Sequence, residues 1–140
     1  MKEIVTRATL RRDAEVLGLA EEFARMFTLA EQVLHLKPDE NDTATAGFQL
    51  RFRGGYKTLF RIGSNCEHTG HPCINFPFDS WRALKNPILE GLRTELLDTV
   101  PRLDKGSAVW NLRLAITPDT IDELIVATCI IYRELRRARR

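Results

Sequence analysis

Apolar residues recur along this chain in two rhythms, and the changes between them mark the elements. From Thr9 to about Leu36, Val16, Leu19, Phe23, Met26, Phe27, Ala30, Val33 and Leu34 return at three- and four-residue steps, with Glu15, Glu21, Glu22, Arg25 and Glu31 mostly opposite. That is the helical period, so the spacing predicts one long amphipathic helix. Gly18 weakens it locally. Lys37-Pro38 ends it, because the residue before a proline disfavours the α region. The polar run from Asp39 to Gly47 then reads as a loop.

Phe48 to Gly63 alternate instead, which predicts a hairpin around Gly54-Gly55. Its register follows from keeping charge off the apolar face. A two-residue Gly-Gly loop would pair Phe52 with Lys57 and Phe48 with Arg61. A three-residue loop, Gly54-Gly55-Tyr56, pairs Phe52 with Thr58, Leu50 with Phe60 and Phe48 with Ile62, and is the register expected. The opposite face then carries Gln49, Arg51, Arg53, Lys57 and Arg61, with Leu59 the apolar residue among them.

Pro72 to Phe78 reads as a third strand with Ile74, Phe76 and Phe78 inward; Pro77, lacking an N–H, belongs at an edge or strand end. Asp79 or Ser80 caps a turn that begins at Trp81. Asn86-Pro87 starts a second helix through Ile88, Leu89, Leu92 and Leu96, which stops before Val100-Pro101. After a loop from Arg102 to Ser107 comes a fourth strand. Trp110, Leu112, Leu114 and Ile116 point inward in it, and Asn111, Arg113 and Ala115 outward. Thr117-Pro118-Asp119 opens the last helix with a cap, a proline at the first position and an acid in the first turn. Its apolar stripe is Ile121, Leu124, Ile125, Thr128, Tyr132 and Leu135, and it closes on Arg133, Arg136, Arg137, Arg139 and Arg140.

The order α-β-β-β-α-β-α predicts an α+β fold: an antiparallel four-stranded sheet with helices packed on one face, the other face meeting water or a partner. The 140 residues, 44% apolar and 29% charged, suit a single domain over residues 1–140 with a core of its own. No internal repeat interrupts it.

Several features in sequence order resemble the MmcQ/YjbR family over residues 54–136. They are a hairpin strand with Lys57 and Phe60 after Gly54-Gly55, a strand near Asn75 followed by an acid-started helix, and a Trp110-Asn111 strand behind Pro101 and a Lys105-containing loop. A Pro-Asp-started helix, Pro118 to Leu135, completes the set. Pro77 stands where that family carries a lysine, and Thr128-Cys129 where it carries Ser-Tyr. The resemblance implies a small α+β fold and a DNA-binding role.

Net charge is +2, too small to demand an anionic partner, so only the placement of charge can speak. Arg51, Arg53, Lys57 and Arg61, with Arg113 if the fourth strand pairs nearby, form the candidate nucleic-acid-binding surface. Guanidinium groups fork phosphates and gain affinity through counterion release. Tyr56 at the hairpin tip is the one aromatic there to stack a base. The plainer account is a solvated face whose long side chains shield the strands. The C-terminal arginines are explained by the helix dipole, and add to the surface only if both lie on one side.

Cys66, His68, His71 and Cys73 are the candidate metal ligands, and zinc is the metal their chemistry suits. Structural zinc pairs usually have about two to four intervening residues, whereas each pair here has one, so a plain loop is the better account and no cofactor is expected. Cys129, among Val126, Ile130 and Ile131, reads as a buried small apolar residue. An odd, small number of cysteines argues for reduced thiols, and with no leader-like or membrane-spanning run the cytoplasm is the expected compartment. No glycine-rich phosphate loop, nucleophile elbow or paired carboxylates point to an enzyme. The sequence therefore suggests a non-enzymatic binding domain for nucleic acid or another polyanion. The alternatives are a protein–protein interaction module (an adaptor, inhibitor or homodimer) and a zinc-dependent or cysteine enzyme using the 66–73 loop.

Overall fold

The structure is a computed structural model and describes residues 3–64, 71–81, 86–105 and 111–138. Where one long N-terminal helix is expected, two form. Helix α1, Arg7–Leu17, starts at a reciprocal cap in which Thr6 and Thr9 each accept from the other's backbone N–H. It stops at Gly18, whose φ of 74° only glycine adopts cheaply. The Gly18 N–H reaches the Glu15 carbonyl at 3.2 Å and the Leu19 N–H the Ala14 carbonyl at 2.8 Å, a Schellman end that reverses the chain. Val16, part of the predicted apolar stripe, is consequently 84% exposed. Helix α2, Ala20–Thr28, buries Phe23, Met26 and Phe27, then widens into a π turn at Leu29–Val33.

A three-residue strand follows where a loop is expected. Strand β1, Lys37–Asp39, lies at the sheet edge, where Pro38 costs no ladder bond to a further neighbour. Strands β2, Ala46–Phe52, and β3, Gly55–Gly63, form the hairpin, but its turn is neither Gly54-Gly55 nor Gly54-Gly55-Tyr56. Phe52 pairs with Gly55, and the two linking residues, Arg53 and Gly54, both take positive φ of 48° and 84°. That is type I′ geometry, whose twist matches the flanking strands. Lys57 then pairs with Leu50, yet Phe60 pairs with Phe48, because Leu59 is an extra residue at a bulge.

Strand β4, Cys73–Phe76, is followed by a 3-10 turn at Phe78–Trp81 and by α3, Asn86–Thr99. Strand β5, Asp104–Lys105, occupies part of the expected loop, and β6, Leu112–Ala115, is the predicted last strand; Trp110 lies outside the described residues. The sheet therefore has six strands rather than four, ordered β1-β2-β3-β4-β6-β5, and every neighbouring pair is antiparallel. Helix α4, Ile121–Ala138, begins one turn after the expected cap. Thr117 and Thr120 bracket that turn, each side chain accepting from the other's backbone N–H.

One face of the sheet holds Phe48, Phe60, Ile62, Ile74, Phe76 and Leu112, all fully buried, and the buried residues of all four helices join it in one cluster. Aromatic contact ties the layers together: Phe27 of α2 meets Phe48 at 6.0 Å between ring centroids, and Phe48 meets Phe60 at 5.2 Å. The α+β reading with an antiparallel sheet thus holds in class. The outer face carries Gln49, Arg51, Tyr56, Thr58, Arg61, Asn75 and Arg113, none of them fully buried.

Two glycines with open space around a new Cβ should respond in opposite directions. Gly18→Ala forces a side chain into positive φ and is expected to lose about 1 kcal/mol. Gly91→Ala, in exposed α3 with no such constraint, should gain about 0.5–1 kcal/mol. Urea unfolding of both variants checks the pair; equal signs would contradict the helix-end geometry.

Candidate functional site

Most arginines in this structure are spent on internal carboxylates. Arg7 holds Glu31 at 2.7 Å and also Glu40, Arg25 holds Asp122 at 2.6 Å, and Arg133 holds Glu95 at 2.7 Å and also Glu134. Arg102 bonds Glu123, and its guanidinium keeps that exposed carboxyl below the ordinary glutamate range. Such surface pairs add little stability. They do commit those cations internally, which leaves fewer for an outside anion.

The five residues of the predicted basic surface separate. Arg61 faces outward but lies along the sheet toward β1. Its Nε donates to Thr45 Oγ1 at 2.7 Å, and its guanidinium stands 3.5 Å from Asp39 and 3.7 Å from Asp42. Gly47, paired across from Arg61, makes room for it: a Cβ there would meet Arg61 Nη1 at 3.0 Å. Arg61 is therefore a structural clamp on the 39–45 loop. Lys57 projects on the helix-covered face, opposite Leu50, and its Nζ donates to the Ser80 carbonyl at 3.4 Å. Arg113 is outward, but on β6 between Asn75 and Asp104 in register. β6 is three strands from β2, roughly 14 Å at about 4.8 Å per strand.

Arg51 and Arg53 remain together at the hairpin end. The αL conformation of Arg53 turns its side chain away from the outer face, and its Nη2 donates to the Ala138 carbonyl at 2.9 Å. The hairpin tip thus meets the end of α4, bringing in exposed Arg136, whose guanidinium rests 5.5 Å from the Tyr132 ring. Arg137 stands beside it, 3.2 Å from Glu134. On the outer face Arg51 pairs with Tyr56, and Lys37 of β1 places its Nζ 4.4 Å from the Tyr56 ring centroid. No acid occurs from Thr43 through Cys66, nor after Glu134; Asp39 of β1 reaches the same face, where its Oδ2 accepts from Gln49 Nε2 at 3.4 Å.

Lys37 and Arg136 are the members that spacing along the chain does not supply. Lys37 closes the predicted first helix but belongs to an edge strand in the fold, and Arg136 joins only through the tertiary contact of Arg53. A signal for the altered register does exist in Leu59, the one apolar residue that uniform alternation places on a basic face. The bulge buries it completely.

The metal candidates fare differently. Cys66 and His68 lie outside the described residues, His71 is exposed, and Cys73 is disulfide-bonded, so its sulfur is not a thiolate ligand in this state. Among the described residues no group of three or more His, Cys, Asp or Glu is placed to hold a metal ion. Cys129, expected in the core, is an exposed free thiol on α4, because Ala127, Thr128 and Ile131 take the inward positions. Partial desolvation nonetheless pushes that thiol above its ordinary range. A bonded Cys73 also removes the cysteine-count argument for a reducing compartment. Among the described residues no helix is long and apolar enough to cross a membrane.

Comparison with protein-family models, with curated proteins and with solved structures finds no match to this chain.

Alkylation of the folded, unreduced protein is expected to label Cys129 and to spare Cys73, with Cys73 becoming reactive only after a reductant is added. Peptide mapping by mass spectrometry reads both sites. Equal labelling of Cys73 without reductant would contradict its bonded state.

Proposed function

We propose that this domain binds a polyanion, with nucleic acid the leading class, at the hairpin end of its sheet rather than across the sheet's outer face. The observation that carries this reading is the bond from Arg53 to the Ala138 carbonyl, which joins an acid-free hairpin tip to the arginine-rich end of α4. Exposed Arg51 and Lys37 stand on the outer face of this end, and exposed Arg53 meets the helix whose last turn carries Arg136. Binding here draws on counterion release from the polyanion, which scales with the number of phosphates neutralised. A guanidinium also forks a phosphate with two donors, whereas a lysine offers a point charge.

The two geometric corrections favour this corner. Arg61 has its donors committed to Thr45, Asp39 and Asp42, and Lys57 lies under the sheet beside Ser80. Both are half-buried, whereas Arg53 is exposed and keeps further guanidinium donors besides the Nη2 that bonds Ala138.

Substitution separates the corner from the wider face. The triple change Arg51→Gln, Arg53→Asn, Arg136→Gln removes three cations while leaving a residue that tolerates positive φ at the turn. It is expected to weaken binding of a labelled oligonucleotide at least tenfold at low salt, about 1.4 kcal/mol. The slope of log affinity against log salt should also flatten by roughly 0.7–0.9 for each phosphate that is no longer neutralised. Lys57→Gln and Arg113→Gln should leave affinity unchanged. Fluorescence anisotropy across a salt series measures all three. An oligonucleotide that fails to bind wild-type protein at low salt, or a triple variant that binds as well as wild type, defeats the proposal.

A further inference from the structure

Resting on that reading, we infer that the ligand is a single-stranded nucleic acid, one base of which stacks on Tyr56. Among the described residues Tyr56 is the one aromatic that is largely exposed: 48% of its surface meets solvent. Its place in the ladder explains why. It pairs directly with Arg51 on the outer face, one residue past the tight turn, where no helix covers the sheet.

The ring also has partners suited to a nucleotide. Lys37 Nζ lies over the ring, 4.4 Å from its centroid, so a cation takes one face and the other is the face a base would take. Arg51 supplies a second cation directly across the strand pair. Next along the same face are Gln49 and Thr58, half-buried and paired with each other; Gln49 Nε2 donates to Asp39 Oδ2 at 3.4 Å, so its Oε1 is the atom that would accept from a base edge. Aromatic, cations and neutral polar groups thus share one surface three strands wide, β1 to β3. This is the combination that single strands use, since each base presents a π face while its phosphates follow the charges.

A duplex fits the same surface less well. Its bases are stacked on one another, so their π faces are closed to Tyr56 and only phosphates, sugars and groove edges reach the protein. A chain of phosphates without bases lacks the stacking partner altogether. Discrimination among these three polyanions is therefore the property that Tyr56 confers.

The experiment titrates wild type, Tyr56→Phe and Tyr56→Ala with labelled oligothymidylate, a DNA duplex of matched length and inorganic polyphosphate. Thermal melts confirm that both variants are folded. Wild type should prefer the single strand. Tyr56→Ala should lose about tenfold on the single strand and nothing on the other two, while Tyr56→Phe keeps the wild-type affinity. Equal binding of all three probes, a preference for the duplex or polyphosphate, or an unchanged single-strand affinity in Tyr56→Ala would overturn the stacking inference and leave the polyanion reading standing. Failure of wild type to bind any probe at low salt would overturn both.

Discussion

Leu59 changes the phase of β3, and the two faces of the sheet follow from that change. A regular strand that placed Lys57 inward opposite Leu50 would also place Leu59 and Arg61 inward, burying a guanidinium opposite Ala46. With Leu59 as an extra residue, Phe60 and Ile62 enter the core opposite Phe48 and Ala46, while Tyr56 and Arg61 both emerge on the outer face. The bulge is held from the side. Trp81, fully buried, donates its indole N–H to the Thr58 carbonyl at 2.7 Å, satisfying an acceptor at the disrupted stretch of ladder. Phe78 packs against Trp81 at 4.6 Å between centroids with the rings tilted by 52°, so the 3-10 turn after β4 is anchored where the irregular strand needs it. The register that sets the candidate site thus depends on an aromatic pair some twenty residues further along the chain.

The same change divides the cations by role. Beyond the bulge the outer face is occupied by Arg61, which binds the 39–45 loop to the sheet with Gly47 as its seat. On the tip side Arg51 and Tyr56 project beyond that clamp, and Arg53 turns under the sheet to the end of α4. A helix C-terminus carries partial negative charge on its last carbonyls, so a guanidinium there is favoured whatever else it does. The dipole accounts for the Arg53–Ala138 bond as structure. It favours Arg136 and Arg137, in the last turn of α4, in the same way.

The features legible in the sequence are those that depend on period and local chemistry. The apolar alternation of β2, the core positions Ile74 and Phe76, the stripe of α3 and the Thr117-Pro118-Asp119 start all follow from rules acting within a few residues. The helix break at Gly18 is visible there as a weak point but not as a stop. Whether a glycine in a helical pattern is tolerated or takes positive φ depends on where the flanking helices can pack, which is tertiary information. Strands β1 and β5, at three and two residues, are too short to show a period; partners in the sheet define them. The expected hairpin register fails for a sharper reason. Requiring charge to stay off the apolar face assumes strict alternation, whereas a lysine can pass along a buried face and end at a carbonyl, as Lys57 does at Ser80.

Basic surfaces read from hairpins in general inherit this difficulty. Counting arginines and lysines on one phase of a strand treats each as a free charge with a known direction. In this chain one of the five candidates is on the other face, one is a clamp and one lies across the sheet. The residues left at the corner share two properties that no count contains: a turn geometry that re-aims Arg53, and an edge strand that delivers Lys37 to Tyr56. Both are consequences of backbone conformation rather than of composition. The net charge of +2 is accordingly a poor guide to this protein, because paired charges cancel within a screening length and the net figure does not say where the remaining cations stand.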